Sequence, residues 1–127
     1  MAHDGEKKTV LVVEDDANQR LLYQEELADE GYEVLIAGDG REGLQVARQN
    51  KPDLVILDIN MPVMDGLDAL NQLLETNPAT PTIINTAYPG YQDSFSAWSA
   101  DAYVVKSSDL TELKATVKRL LGENAQN

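Results

Sequence analysis

The strongest constraint on the fold of this chain is a repeated alternation of two hydrophobic periods along its 127 residues. Five short runs rich in β-branched residues are separated by stretches with apolar residues at helical spacing. Strands that alternate with helices in this way predict a parallel sheet covered by helices on both faces. The predicted strands are residues 9–13, 33–36, 53–57, 81–85 and 102–105, and the predicted helices are residues 17–30, 40–50, 66–76, 91–99 and 109–121.

Length and composition predict a single domain. A chain of this length with 43% hydrophobic residues has enough apolar material for one core and hardly for two. The segments at residues 1–8 and 123–127 are polar and carry no hydrophobic pattern. We therefore interpret them as tails that flank a domain at residues 9–122.

The charge balance and the missing cysteines exclude several classes of function. Ten Lys and Arg face 22 Asp and Glu, which gives a formal charge of −12 and argues against direct nucleic-acid binding. A chain without cysteine has no disulfide, no thiolate metal site and no thiol nucleophile. The apolar runs are too short for a membrane span, and the N-terminus has no signal-peptide core, so we expect a cytoplasmic protein without membrane insertion.

Carboxylates follow two of the predicted strands at the point where each strand ends. Glu14 and Asp15 come after the first strand, and Asp58 comes after the third. If these strands are neighbours, the three side chains converge and repel one another. Oxygen ligands of this kind suit Mg²⁺. Acids are also favoured at a helix N-terminus, and we assign Asp16 to that role, whereas Asp58 adjoins a buried strand, where unpaired acids are rare.

Two further polar residues stand at the ends of predicted strands. Thr86 follows the fourth strand and Lys106 follows the fifth. Taken singly, the threonine is a strand former or helix cap, and the lysine is a snorkelling side chain. Beside Asp58 they gain a joint meaning, because a phosphoryl group on a carboxylate needs a cation, a hydroxyl and an ammonium to hold its oxygens.

Two segments carry helix-start signals. Asp109 and Glu112 resemble a capping box before the last predicted helix. Residues 38–43 match G-x-G-x-x-G, a dinucleotide-binding pattern, and they follow a strand and precede a helix. Asp39 would place a negative charge inside the pyrophosphate loop of such a site. We favour a turn in which Asp39 caps the helix and Glu42 closes the capping box.

Taken in order, these segments resemble the response-regulator receiver domain of bacterial two-component signalling. The resemblance covers nearly all of residues 9–121. It implies a flavodoxin-like α/β fold, a doubly wound five-stranded parallel sheet of order 2-1-3-4-5 with five helices. The motifs that carry it are Val12-Val13-Glu14-Asp15, the segment Asp-x-x-Met-Pro-x-Met-Asp-Gly from Asp58 to Gly66, Thr86-Ala87, and Tyr103-Val104-Val105-Lys106.

The resemblance implies a role for each residue of the predicted site. Asp58 would accept a phosphoryl group from a histidine of a partner. Asp15 would bind Mg²⁺ directly, Glu14 would bind it through water, and the backbone carbonyl of Asn60 would complete the protein ligands. Thr86 and Lys106 would contact the phosphoryl oxygens. Tyr103 would be the aromatic switch residue that moves inward with the threonine hydroxyl.

The same resemblance implies a phosphorylatable switch, or a phosphoryl shuttle in a phosphorelay, that acts on no metabolite. The donor would be a sensor histidine kinase or a histidine phosphotransfer protein. The domain would assist its own phosphorylation and its own hydrolysis, and a small residue at Ala87 predicts a short phosphoryl lifetime. The output would be a population shift on the face of the fourth helix, fifth strand and fifth helix, read by a downstream protein target.

Three features depart from the usual family pattern. Ser107 replaces the proline that usually follows the lysine. A cis peptide bond is common before proline and costly before serine, so the family pattern does not predict the conformation of the loop around Lys106. Glu14 replaces a common aspartate. Residues 87–91 carry a proline-glycine turn that complicates the fourth helix, near which Trp98 is expected to pack in the core.

Two rival functions fit parts of the pattern. A haloacid-dehalogenase-like aspartyl-phosphate phosphatase also uses an aspartate, Mg²⁺ and a lysine. It needs a second acid two residues after the nucleophile, where this chain has Asn60, which cannot act as an acid–base group. A pseudo-receiver would serve as an interaction module that is not phosphorylated, and it predicts no response to Mg²⁺.

Overall fold

A computed structural model describes residues 7–58, 68, 71–73, 75, 78–87 and 100–122. Residues 1–6 of the predicted tail at 1–8, the predicted tail at 123–127 and the predicted helix at 91–99 lie outside these residues. Residues 68, 71–73 and 75 are helical and belong to the third predicted helix, which we label α3. The other elements are β1 (Thr9–Val13), α1 (Ala17–Asp29), β2 (Glu33–Ala37), α2 (Gly40–Asn50), β3 (Leu54–Leu57), β4 (Thr82–Thr86), β5 (Ala102–Val105) and α4 (Thr111–Leu120).

The five strands form one parallel sheet in the order β2-β1-β3-β4-β5, which confirms the predicted order. Its register pairs the last residue of β1 with the last residue of β3, Val13 with Leu57. The next residues, Glu14 and Asp58, therefore leave the sheet side by side. Hydrogen bonds from Glu14 N to Ala37 O (3.0 Å) and from Asp58 N to Val13 O (3.1 Å) extend the pairing to both acids.

The core has one layer on each face of the sheet, because alternate residues of a strand point to opposite faces. β1 and β3 are buried along their whole length, as nearly continuous apolar runs predict. One layer contains Leu11, Val13, Ala37, Leu44, Ala47, Val55, Leu57, Leu73, Ile84, Ala100 and Tyr103. The other contains Val10, Val12, Tyr23, Leu27, Tyr32, Leu54, Ile56, Ile83, Ala102, Val104, Leu113 and Val117.

Aspartates join the strands at the edge opposite the predicted site. Asp53 N donates to Thr9 O, and Thr9 N donates back to Asp53 Oδ2, both at 2.8 Å. Asp101 and Thr82 make the same reciprocal pair at 2.9 and 2.8 Å. Because the Asp53 carboxylate takes the place of a backbone partner, β3 begins at Leu54 and not at residue 53 as predicted. The fourth strand likewise lies one residue later than predicted.

Two of the predicted helix starts are observed. Asp16 Oδ1 accepts from Asn18 N and Gln19 N at the start of α1. Asp39 Oδ1 accepts from Glu42 N at 2.8 Å, so residues 38–43 form a capped turn as we favoured. Glu42 Oε1 accepts from Gly38 N at 2.7 Å, one residue before the cap, and closes the turn.

The capping box predicted for the last helix is wrong, because Asp109 pairs with Thr111 and not with Glu112. Asp109 Oδ1 accepts from both Thr111 N (2.9 Å) and Thr111 Oγ1 (2.6 Å), and Glu112 takes no part in these bonds. A short local turn around the aspartate competes with the box geometry. As a result α4 begins at Thr111, two residues later than predicted, with Leu110 as its N-cap residue. Within the described parts of the chain, none of the helices has the length and apolar character needed to cross a membrane.

Gly43 allows α2 to approach the sheet closely. A Cβ at this position would lie 2.8 Å from Cγ2 and 3.2 Å from Cγ1 of Val13, which is 1% exposed. Val13 is short, branched and enclosed, so it cannot move aside as a long side chain would. The glycine is therefore required by packing.

We expect Gly43→Ala to lower the free energy of unfolding by about 1–2 kcal/mol, because the cost of overpacking exceeds the gain in helix propensity. Denaturant unfolding measures this change. In a Val13→Ala background the glycine substitution should cost less than it does in wild type, because the shorter side chain at position 13 removes the clash. Equal stability of Gly43→Ala and wild type would contradict the packing requirement.

Candidate functional site

Three carboxylates meet at the carboxyl edge of the sheet. One oxygen each from Glu14, Asp15 and Asp58 lies within 4.8 Å of the other two. Glu14 and Asp58 are 2% and 6% exposed, whereas Asp15 is exposed to solvent. The predicted convergence of these residues is thus observed, and it follows from the pairing of β1 with β3.

A single ammonium group is placed against two of these acids. Lys106 Nζ lies 2.7 Å from Glu14 Oε1 and 2.9 Å from Asp58 Oδ2. Its backbone N donates to Thr86 O at 2.8 Å, so the β4–β5 pairing carries the lysine into the site. Ser107 does not displace it: the bond between the two residues is trans, and Ser107 Oγ accepts from Asp109 N at 3.1 Å.

Burial and ion pairing act in opposite directions on the protonation of this pair. Burial raises the pKa of Glu14 above its ordinary value, and the hydrogen bond from Lys106 opposes this rise only in part. For Lys106, burial alone would lower the pKa, but the contacts with Glu14 and Asp58 outweigh it and raise the pKa. The lysine therefore stays charged at neutral pH.

Thr86 places a hydroxyl in the core at the end of β4. The residue is 0% exposed, and its Oγ1 has no hydrogen-bond partner among the described residues. A buried polar group left in this state costs about 1–3 kcal/mol. Tyr103 is 7% exposed and pairs with Ile84 in the sheet, so it lies on the same face of the sheet as Thr86. The Thr86 hydroxyl is therefore available to a group bound at this edge of the sheet.

The structure adds residues that the sequence analysis did not single out. Arg20 Nη1 donates to the carbonyl of Glu14 at 2.8 Å. Tyr23 and Asn85 are both buried, and Tyr23 OH donates to Gln19 Oε1 at 3.4 Å. Burial raises the pKa of the Tyr23 hydroxyl, and the Asn85 side chain opposes this rise. The only sequence signal for Tyr23 is its place one helical turn from Leu27 on the buried side of α1.

Several predicted residues cannot be placed. Asn60, Trp98 and residues 61–66 and 88–91 lie outside the described part of the chain. Ala87 is described and exposed next to Thr86.

The donor set fits a divalent cation that prefers oxygen. The three carboxyl groups supply only oxygen ligands and one of them opens to solvent, and among the described residues Lys106 is the lysine that contacts two of them. These are the properties of a Mg²⁺ site that keeps several waters.

The sequence of this chain is similar to known proteins over most of its length. The sequence model of the family named response regulator receiver domain matches residues 10–118. The probable transcriptional regulatory protein TcrX of Mycobacterium tuberculosis is 36% identical over 120 residues, which cover 93% of this chain and 51% of TcrX. The chain thus spans about half the length of this relative, and 27% of the transcriptional regulatory protein ZraR of Escherichia coli.

Solved structures show the same fold. The response regulator TrrA of Thermotoga maritima, crystallised with Mg²⁺-BeF, superposes with a TM-score of 0.84 and 44% identity over 89% of this chain and 98% of that chain. TrrA in complex with the histidine kinase ThkA gives a TM-score of 0.83 and 45% identity over 90% and 98%. Because the family match spans nearly the whole described fold, from β1 into α4, the chain belongs to the receiver domains of two-component response regulators.

Proposed function

We propose that this receiver domain accepts a phosphoryl group on Asp58 and acts as a phosphorylation-dependent switch. The observation that carries the proposal is the place of Asp58, at the end of a buried strand, 2.9 Å from the Lys106 ammonium and within 4.8 Å of two other acids. An acid so close to both a cation and other acids is positioned for chemistry at its oxygen, because a structural ion pair needs only one acid.

The proposed reaction is a displacement at phosphorus. A carboxylate oxygen of Asp58 forms the new O–P bond, and the bond from phosphorus to the donor's leaving group breaks. Charge spreads over the phosphoryl oxygens in the transition state, and the Lys106 ammonium is held within reach of them. In the hydrolysis step, water that enters beside the exposed Ala87 forms a bond to phosphorus, the bond from phosphorus to the Asp58 oxygen breaks, and inorganic phosphate leaves.

Mg²⁺ is the proposed cofactor, and when bound it would neutralise charge on the acids and on the phosphoryl group. Asp15 and Asp58 would bind it directly, Glu14 would bind it through water, and the Asn60 carbonyl remains a prediction for a further ligand. The convergence of the three carboxylates and the Mg²⁺-BeF complex of TrrA support this assignment.

Thr86 is the proposed link between the site and the switch. Its hydroxyl would donate to a phosphoryl oxygen and so satisfy a polar group that has no partner among the described residues. Movement of the hydroxyl changes the packing on the face that also holds Tyr103, and packed cores tend to switch between discrete arrangements. We assign the output to the face that includes β5 and α4, read by a downstream protein target.

A groove beside Lys106 offers an approach for the donor. It encloses about 330 Å³ and is lined by Gln19, Leu22, Tyr23, Lys106, Ser107 and Ser108. We propose a sensor histidine kinase or histidine phosphotransfer protein as the donor, which the complex of TrrA with ThkA supports. The formal charge of −12 favours a protein partner over direct nucleic-acid contact by this domain.

Incubation with acetyl phosphate and Mg²⁺ tests the proposed phosphorylation. Wild type should gain one phosphoryl group, observed by intact mass, and Asp58→Asn should gain none. Asp53→Asn is the matched control, because it changes an aspartate at the other end of β3 and keeps an oxygen that can accept from Thr9 N. After the donor is removed, the label should decay in Mg²⁺ and persist in EDTA, as self-catalysed hydrolysis requires.

Other outcomes of this experiment would contradict the proposal in distinct ways. Label that persists in Asp58→Asn would move the acceptor to another residue. Turnover of many phosphomonoesters without accumulated label would indicate the phosphatase rival. A protein that takes no label and does not respond to Mg²⁺ would be a pseudo-receiver.

The raised pKa of Glu14 predicts a pH dependence of stability. A carboxyl whose pKa rises on folding contributes stability that is complete below its unfolded pKa, about 4.5, and is lost as pH rises through the folded value. Glu14→Gln stays neutral and avoids this loss. In EDTA, the variant should therefore gain stability relative to wild type as pH rises from 4.5 toward neutrality.

Thermal unfolding of both proteins at a series of pH values measures this difference. Glu25→Gln is the control, because it makes the same chemical change at an exposed glutamate in α1. If the stability difference between Glu14→Gln and wild type stays constant or shrinks toward neutral pH, burial does not raise the pKa of the Glu14 carboxyl.

A further inference from the structure

Arg20 joins α1 to the main chain of residues 14–16, which connect β1 to α1 and which we call the acid loop. Its Nη1 donates to the carbonyl oxygen of Glu14 at 2.8 Å, and the side chain is half-buried. Glu14 N donates to Ala37 O at 3.0 Å, so both main-chain polar groups of Glu14 are held. The side chain is held as well, because Oε1 contacts Lys106 and Oε2 accepts from Asp16 N at 3.1 Å.

The carbonyl that Arg20 contacts belongs to the peptide unit between Glu14 and Asp15. A peptide unit is planar, so fixing this oxygen also fixes the position of the Asp15 nitrogen and the direction of its Cα. Asp15 is exposed, so core packing does not set its direction as it does for Glu14 and Asp58. The orientation of the exposed carboxylate therefore depends on the orientation of this plane.

The turn at residues 38–43 leaves room for the Arg20 guanidinium. A Cβ on Gly38 would lie 3.3 Å from Arg20 Nη1 and 3.5 Å from Glu42 Oε1. Glu42 holds the turn by accepting from Gly38 N at 2.7 Å. The glycine motif that suggested a dinucleotide site thus borders the arginine that supports the acid loop.

We propose that Arg20 is a positioning residue for the divalent-cation site, acting through the Glu14 carbonyl and the Glu14–Asp15 peptide plane. This inference rests on the proposed function, because it assigns Arg20 to the metal site formed by Glu14, Asp15 and Asp58. Groups that orient metal ligands from outside typically change affinity by 10- to 100-fold when removed.

The sign of the effect separates positioning from simple charge. A guanidinium near a cation site repels the cation, so removal of a charge that does nothing else strengthens metal binding. Removal of a hydrogen bond that positions a metal ligand weakens metal binding. Arg20→Gln removes both the charge and the bond, and we expect the metal affinity to fall on the order of 10-fold.

Binding of Mn²⁺ alone, followed by the electron paramagnetic resonance signal of unbound Mn²⁺, measures this effect without any phosphoryl donor. Arg20→Lys keeps the charge and one donor, and should retain part of the affinity lost in Arg20→Gln. Gly38→Ala keeps the arginine and crowds its Nη1, so it should weaken binding by a smaller factor. Arg41→Gln, a change of the same charge at an exposed residue of α2, should not weaken binding.

The outcomes distinguish the positioning role of Arg20 from the proposed metal site itself. Arg20→Gln that binds Mn²⁺ as tightly as wild type, or more tightly, would overturn the positioning role while leaving the metal site intact. Equal weakening by Arg20→Gln and Arg41→Gln would overturn it as well. Wild-type protein that binds no Mn²⁺ would overturn the proposed metal site and, with it, the role of Arg20. Thermal unfolding of every variant checks that each is folded.

Discussion

Repulsion among carboxylates gathered at one edge of the sheet is the constraint on which the site depends. The pairing of Val13 with Leu57 brings Glu14 and Asp58 out of the sheet together, and Asp15 follows on the open side. Lys106 is the one ammonium that the described structure places against two of these acids. The remaining negative charge leaves the site prepared for a second cation, and the stability given up there is recovered in a core that is buried on both faces of β1 and β3.

The parallel strands end at one edge of the sheet, and this brings the residues of the proposed switch together. β4 delivers Thr86, whose hydroxyl is buried and has no partner among the described residues, and β5 delivers Lys106. Tyr103 lies on the same face as Thr86 and packs with Ile84 in one core layer. A new anion on Asp58 would contact the lysine and the threonine at once. Charge gained at the site would thereby be coupled to the packing of Tyr103, three residues before Lys106 in the chain.

Much of this arrangement could be predicted from the sequence. β-Branched runs located all five strands to within one residue at either end, and the position of acids after the first and third runs indicated the cluster of Glu14, Asp15 and Asp58. The strand order came from the family resemblance, because periodicity contains no information about which strands are neighbours. The structure differs from the predicted element boundaries near Asp53 and Asp109. Their side chains take the place of backbone hydrogen-bond partners, and the spacing of hydrophobic residues does not reveal such bonds. The contact of Arg20 with a carbonyl depends on a rotamer and a main-chain direction, and neither is encoded in residue type.

The most direct test of the central claim is a crystal structure of this protein with Mg²⁺ and beryllofluoride, an analogue of the phosphoryl group. The adduct should form on Asp58, with the cation among Asp15, Asp58 and the Glu14 carboxylate. Lys106 Nζ and Thr86 Oγ1 should each lie within hydrogen-bond distance of a fluorine. An adduct on another acid, or a Thr86 hydroxyl that stays away from the bound group, would contradict the link between the acid site and the core.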